Sequence, residues 1–245
     1  MSNIVIILAG GLGKRMNSDL PKVCHTFQSI PMIVRVYNEA TKTNSSKILI
    51  VVGKYKGVIK TTLERYNIIE NINYEFIFQE TPLGTGHAVV CCRDYLKKYE
   101  NSNVLILCGD TPLITSELMS KILYDLNQII CVTTCYNDPK SYGRIIRNDG
   151  VFEKITEYKD CNESEKLINE VNSGIYAIKS ELLVKYLPMI NNNNAQNEYY
   201  LTDIIELIKT HENITIETYI VSTIQQYQVE GINSKEDMER LEKIY

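Results

Sequence analysis

The sequence predicts an α/β fold: an open, mixed but mainly parallel sheet flanked by helices, with an antiparallel insertion in its second half. Three observations carry that prediction. Short runs rich in Ile, Val and Leu alternate with helical patterns over about the first 135 residues; a Gly-rich stretch follows directly on the first apolar run; and after Pro139 the rhythm changes to closely spaced strands joined by a turn signal. With 245 residues, 44% of them hydrophobic, the chain can bury a full core, and one domain over residues 1–245 is expected.

The elements follow in order. Strand-like residues 4–8 precede a helical pattern at 32–41; 48–52 precede 56–66; 74–78 precede 86–96. Residues 104–108 are followed by a helix from about 115 to 127, and 129–134 add another strand, which completes the βα rhythm of a parallel sheet. Residues 144–147 and 151–156 then flank Asn148-Asp149-Gly150, whose Asp-Gly pair favours a tight hairpin turn. Residues 171–178 read as a strand and 199–209 as a helix with Leu201, Ile204, Ile205 and Ile208 on one face. Ser234 fits the N-cap of a last helix, with Asp237 at its third position. The Asn run 191–194 reads as a surface loop.

Composition removes several classes of function. A formal net charge of −4 gives no diffuse positive field for nucleic acid, so any phosphate must be met locally. The longest apolar run, 4–9, cannot span a bilayer and lacks the flanks of a signal peptide, so no membrane association and a cytoplasmic location are expected. Seven cysteines form no CxxC pair, and Cys24, Cys108, Cys131 and Cys135 sit in or beside apolar segments, where a thiol acts as a small hydrophobe. His25, His87 and His211 have no metal-ligand spacing and are expected to be structural or solvent-facing.

Chemistry is carried by the first loop. Residues 4–8 run straight into Ala9-Gly10-Gly11-Leu12-Gly13-Lys14-Arg15, where backbone N–H groups can wrap a phosphate at the carboxyl edge of a sheet. It is not a P-loop, because Leu8 and Arg15 stand where that motif needs Gly and Ser or Thr, and Met16 occupies a position where a dinucleotide fingerprint needs a small residue. Arg15 and Lys22 beside these glycines suit an oligophosphate.

Leu8-Ala9-Gly10-Gly11-Leu12-Gly13-Lys14-Arg15-Met16 resembles the signature loop of the sugar-phosphate nucleotidyltransferases. Its continuation, Ser18-Asp19-Leu20-Pro21-Lys22-Val23 and His25-Thr26, closely resembles the uridylyltransferase domain of the bifunctional bacterial N-acetylglucosamine-1-phosphate enzymes. Further matches follow in family order: Gln79, Leu83-Gly84-Thr85-Gly86-His87-Ala88, Gly109-Asp110, Tyr142-Gly143-Arg144-Ile145, Glu157, Asn172-Ser173-Gly174-Ile175, residues 191–203, and Glu230-Gly231-Ile232-Asn233. The resemblance spans almost the whole chain. It implies a Rossmann-like nucleotide-diphospho-sugar transferase fold, with a nucleotide-binding half to about residue 135 and a sugar-binding half, including the antiparallel insertion, from about 136 to 245.

The same resemblance implies roles. Leu8, Ala9, Gly10, Gly11, Gly13, Gln79, Gly84 and Thr85 would bind the nucleotide, with uracil read by the backbone at Ala9 and Gly10 together with Gln79, Gly84 and Thr85. An amide such as Gln79 offers both a donor and an acceptor to the imide edge of uracil. Arg15 and Lys22 would be catalytic, neutralising the phosphates. Asp110, just past a buried-looking strand, and Asn233 would hold Mg²⁺, and the alternative for each is a turn or cap residue. Gly143, Glu157, Asn172, Tyr200 and Thr202 would hold an acetylated sugar phosphate. Three positions depart from the family pattern: Cys108 stands where Tyr is common, Asn197 where Gly is usual and Ser173 where Thr is common.

The expected reaction joins UTP and N-acetylglucosamine-1-phosphate to UDP-N-acetylglucosamine and pyrophosphate, by in-line attack on the α-phosphorus and without a covalent enzyme intermediate. The alternatives are glucose-1-phosphate uridylyl or thymidylyl transfer, or a silent nucleotide-sugar-binding protein. No hexapeptide repeat follows the last helix, so acetyltransferase activity is not expected, and oligomeric state is left open.

Overall fold

The computed structural model describes residues 2–11, 13, 16 and 18–245. β1 (Asn3–Leu8) comes first; a 3-10 turn at Lys22–Cys24 and a small hairpin, β2 (Thr26–Phe27) and β3 (Ile30–Pro31), lead into α1 (Met32–Thr41). β4 (Lys47–Val52), α2 (Lys56–Glu64), β5 (Glu75–Phe78), α3 (Thr85–Val90), α4 (Arg93–Leu96), β6 (Asn103–Cys108), α5 (Ser116–Asp125) and β7 (Ile129–Cys135) continue the alternation. The second half contains β8 (Arg144–Asn148), β9 (Val151–Thr156), α6 (Glu163–Lys166), β10 (Glu170–Lys179), α7 (Ser180–Tyr186), α8 (Asp203–Glu212), β11 (Glu217–Val221) and α9 (Lys235–Ile244).

The main sheet runs β11-β7-β10-β6-β1-β4-β5, with the β8-β9 hairpin attached to β10. β1 is parallel to β4 and β6, and β7 to β11, while β10 runs antiparallel between β6 and β7. The expected mixed, mainly parallel sheet is therefore observed, and its antiparallel part is centred on β10. Both faces are covered, which is why the central strands are continuous apolar runs. Val5, Ile7, Ile50 and Leu107 pack beneath α1, α2 and α5 on one face. Ile4, Ile6, Val51 and Ile106 meet α3, α7 and α8 on the other. A third cluster of Phe27, Met32, Ile232 and Leu241 ties α9 to the β2-β3 hairpin, and so brings residues 230–234 beside the first loop.

The Asp149-Gly150 turn forms as expected, with both residues at positive φ. Ser234 caps α9 in a capping box with Asp237. Two helices differ from expectation. Residues 86–96 form α3 and α4, interrupted at Cys91-Cys92, instead of one helix. α8 begins at Asp203, because the backbone before it is used across the chain: Tyr199 N–H donates to Leu83 O at 2.8 Å, Gly86 N–H to Tyr199 O at 2.8 Å, and Leu201 N–H to Thr85 Oγ1 at 3.1 Å. Tertiary hydrogen bonds outweigh the helical pattern there.

Candidate active site

β4 and β5 lie on one side of β1 and β6 on the other, so the strand order switches direction between β1 and β6. A crevice opens at such a point beyond the carboxyl ends of the strands. Leu8 and Cys108 are in register there, and Gly109 N–H donates to Leu8 O at 3.0 Å. The resulting cleft, of about 560 Å³, is lined by Leu8, Gly10, Gly11, Lys22, Gln79, Gly84, Thr85 and Asp110, with Val23, Cys108 and Glu198 among their neighbours. Ala9 is buried, and its N–H is committed to Val51 O at 2.8 Å, which leaves its carbonyl as the polar group it can offer. Gly13 has φ +57°, and a Cβ there would stand 2.7 Å from Lys22 Cβ, so Gly13 packs directly against Lys22. Arg15 lies outside the described residues.

At one end of the cleft, Lys22 makes an ion pair with Asp110, and its Nζ donates to Asn233 Oδ1 at 3.0 Å. Asn233 is anchored by its Nδ2 donating to Gly231 O at 3.1 Å and by its N–H donating to Asp237 Oδ2 at 3.2 Å. Ile232 N–H donates to Asp110 O at 2.9 Å, and Gly231 N–H reaches Tyr142 Oη at 3.2 Å. A carboxylate and an amide oxygen thus converge on one cationic group. Two hard oxygen donors fit a magnesium ion that takes its remaining ligands from phosphates and water. Among the described residues there is no group of three or more His, Cys, Asp or Glu arranged to hold a metal.

At the other end, buried Gln79 follows β5, and its N–H donates to Val52 O at 2.8 Å. Its Nε2 donates to Gly84 O at 3.1 Å and lies 3.1 Å from His87 Nδ1. Its Oε1 faces Gly10, where an added Cβ would approach to 3.2 Å. The side chain therefore presents an acceptor to the cleft, its donor side being engaged; the sequence reading had both ends available. Gly84, at φ +114°, would place a Cβ 2.5 Å from Tyr199 O, and only glycine fits this approach.

The five remaining residues form an adjoining cluster. Gly143 O accepts from Asn172 N–H at 2.9 Å, and a Cβ on Gly143 would lie 3.4 Å from Glu157 Oε2. Thr202 Oγ1 donates to Glu157 Oε1 at 3.1 Å, and Tyr200 Oη to Asp160 Oδ2 at 3.1 Å. Asn172 is buried, with Nδ2 donating to Tyr176 Oη at 2.6 Å and Oδ1 accepting from Gly174 N–H at 3.1 Å. Burial raises the Glu157 carboxyl above its usual range, the Thr202 bond opposes this, and Asp160 and Glu198 add to the rise. Asp203 is pushed up to about 6 by burial and by Glu157, Glu206 and Asp160. Such a group of carboxylates accepts hydrogen bonds from neutral hydroxyls and repels added negative charge.

Of the departures, Asn197 takes the left-handed conformation, φ +54°, that glycine would adopt. Cys108 is a half-buried thiol on the cleft wall, pushed up to about 12 by desolvation and by Asp110, with its Sγ 3.7 Å from Gly174 O. His87, Tyr142, Asp160 and Glu198 were not singled out as site residues from the sequence. His87, Tyr142 and Glu198 are legible only as parts of the matched segments 83–88, 142–145 and 191–203, and Asp160 takes its place solely from tertiary contacts.

A mixed, mainly parallel α/β sheet with a glycine-lined cleft at its switch point, charged at one end and amide-capped at the other, fits a nucleotide-handling protein. A family model described as nucleotidyl transferase matches residues 4–219, and the chain belongs to that family of enzymes. It is 37% identical over 245 residues to a probable UDP-N-acetylglucosamine pyrophosphorylase of Acanthamoeba polyphaga mimivirus, covering 98% of this chain and 95% of that one. It is 41% identical over 246 residues to the bifunctional protein GlmU of Thermoanaerobacter pseudethanolicus and 38% over 247 to that of Clostridium botulinum strain 657, covering 98% and 99% of this chain. It spans about half the length of those two relatives, 51% and 52%. The fold superposes on a crystal structure of UDP-glucose pyrophosphorylase complexed with UDP-glucose, at a TM-score of 0.74 and 18% identity, covering 100% of this chain and 98% of that one. No helix among the described residues is long and apolar enough to cross a membrane.

Proposed function

We propose that the chain is a UDP-N-acetylglucosamine diphosphorylase, forming UDP-N-acetylglucosamine and pyrophosphate from UTP and N-acetylglucosamine-1-phosphate. The observation that carries this reading is the convergence of Lys22, Asp110 and Asn233 at the switch point, at one end of a cleft whose other end is the amide-capped recess of Gln79 and Gly84. The reading is supported by the similarity of nearly the whole chain to a probable UDP-N-acetylglucosamine pyrophosphorylase and to the bifunctional protein GlmU.

In this reading uracil lies against Gly10 and Gly84, with Gln79 Oε1 accepting from its ring N–H. The triphosphate runs past the backbone of Gly11 and of Gly13 toward Lys22. The sugar sits among Gly143, Glu157, Asn172, Tyr200 and Thr202, where carboxylates accept its hydroxyls; its phosphate must point away from those acids, toward Lys22. An anionic oxygen of that phosphate attacks the α-phosphorus, forming a new P–O bond as the bond to the β-phosphate breaks and pyrophosphate leaves with the electron pair. No proton has to be removed from the nucleophile, so the residues act by alignment and charge neutralisation. Lys22 supplies positive charge to the phosphates, with Arg15 assigned the same task by its place in the loop. Asp110 and Asn233 would hold Mg²⁺, which when bound supplies charge neutralisation at the phosphate oxygens.

The test is pyrophosphate release in the presence of Mg²⁺, crossing UTP, dTTP and CTP with N-acetylglucosamine-1-phosphate, glucosamine-1-phosphate and glucose-1-phosphate. Preference for UTP with the acetylated sugar is expected. Preference for another pair would move the substrate assignment, and no turnover with any pair would refute it.

A further inference from the structure

We propose that His87 is a positioning residue that sets base selectivity, by accepting a hydrogen bond at Nδ1 from Gln79 so that only the Gln79 carbonyl oxygen is offered to the base. The inference rests on the reading of the Gly10–Gln79–Gly84 recess as the site of the nucleobase, and it goes beyond that reading in naming what orients Gln79.

A primary amide has two N–H donors on nitrogen and an acceptor on oxygen, and its two ends are similar enough in shape to exchange by a half-turn. In the recess both donors have acceptors: Gly84 O at 3.1 Å and His87 Nδ1 at 3.1 Å. The Gly84 carbonyl can only accept. An imidazole nitrogen accepts only in the tautomer that carries its proton on the other nitrogen. With the proton on Nε2, His87 and Gly84 reinforce one another, and Oε1 is held on the Gly10 side of the cleft. With the proton on Nδ1, His87 would oppose Gly84 and favour the turned amide.

The imidazole is itself held in place. His87 lies in the first turn of α3, whose entry is fixed to residues 199–201 by the backbone bonds of Tyr199 and Gly86, and its ring lies 6.1 Å from that of Tyr199. A fixed acceptor at Oε1 favours a base with a ring N–H at the facing position, as in uracil or thymine. It meets the unprotonated ring nitrogen of cytosine acceptor to acceptor. Without His87 one Gln79 donor loses its protein partner, and the amide can turn to serve either base.

The experiment compares kcat/KM for UTP and for CTP in the wild type and in His87→Ala, His87→Phe and His87→Asn. It is combined with ¹⁵N chemical shifts of the imidazoles, the His87 signals being those absent from His87→Asn. Asn carries a carbonyl oxygen close to the place of Nδ1, whereas Ala and Phe carry no acceptor. The expected result is a His87 protonated on Nε2, a UTP-to-CTP ratio reduced about tenfold in Ala and Phe, mainly through the KM for UTP, and recovery of the ratio in Asn. Thermal unfolding of each variant separates this from loss of fold, and Asn against Phe decides the matter if Ala is unstable. A wild type that prefers UTP, with Ala and Phe keeping the full ratio, would overturn the role of His87, as would protonation at Nδ1. A wild type indifferent to UTP and CTP, with His87 protonated on Nε2, would overturn the assignment of the recess while leaving the His87–Gln79 contact intact.

Discussion

Replacing Gly84 by Ala tests whether the recess proposed for the nucleobase is held rigidly by the 199–201 segment. Gly84 has φ +114° and ψ 173°, a region that residues with a Cβ hardly enter, and an added Cβ would stand 2.5 Å from Tyr199 O and 2.9 Å from Tyr199 N. The conformational part costs about 1–3 kcal/mol. The overlap is with backbone that is already bonded to Leu83 and Gly86, so it cannot be relieved by turning a side chain, and overpacking of this kind costs a further ~1–3 kcal/mol. A total of about 3 kcal/mol corresponds to a fall of roughly 6–12 °C in Tm for a domain of this size. Gly150→Ala is the control: it also has positive φ, +79°, but no atom lies within 4 Å of its added Cβ, so it carries the conformational cost alone. Thermal unfolding of both variants, with KM for UTP, is the assay. If the recess yields locally instead of transmitting the clash, Gly84→Ala keeps its Tm and shows a raised KM. A Gly84→Ala protein matching Gly150→Ala in Tm and the wild type in KM would refute the rigid ladder.

Three further outcomes are expected. Asp110→Asn should reduce turnover by about 100-fold or more with the fold retained, since in the proposed mechanism its carboxylate would hold the Mg²⁺ that neutralises the phosphates, and loss of such charge stabilisation is worth that much; normal kcat would remove Asp110 from the chemistry. Asp203 ionises at about 6 in the folded chain against 3.8 in the unfolded one, so the folded state binds the extra proton between these values, and stability is lost as pH rises from about 4 to 6; Asp203→Asn should therefore raise Tm at pH 8 but not at pH 4, by the equivalent of about 1 kcal/mol once solvent screening is allowed for, and equal shifts at both pH values would contradict the burial argument. Thr202→Val removes the hydroxyl that donates to Glu157 and should raise the KM for the sugar phosphate several-fold while leaving that for UTP unchanged; initial-rate kinetics in each substrate would show it.

The sequence by itself determined the strands and the side of the sheet on which chemistry takes place. Apolar runs such as 4–8 and 104–108 are strands because both faces of this sheet are covered, and the residues that follow each of them must emerge at its carboxyl edge. The turn at Asp149-Gly150 and the cap at Ser234 were legible for a local reason, since the residues that make them also satisfy them. Only the tertiary structure decided which distant groups meet. Lys22 and Asn233 are 211 positions apart and are joined through the packing of Phe27, Met32, Ile232 and Leu241, which no local pattern encodes. The same holds for the late start of α8: residues 199–202 have a helical pattern, but the N–H and C=O of Tyr199 and the N–H of Leu201 are bonded to the Leu83 to Gly86 turn. The orientation of Gln79 likewise depends on two partners, Gly84 O and His87 Nδ1, whose positions are set by that docking. Backbone and amide hydrogen bonds are directional, so they settle questions of which atom faces the cleft that hydrophobic periodicity, which is not directional, leaves open.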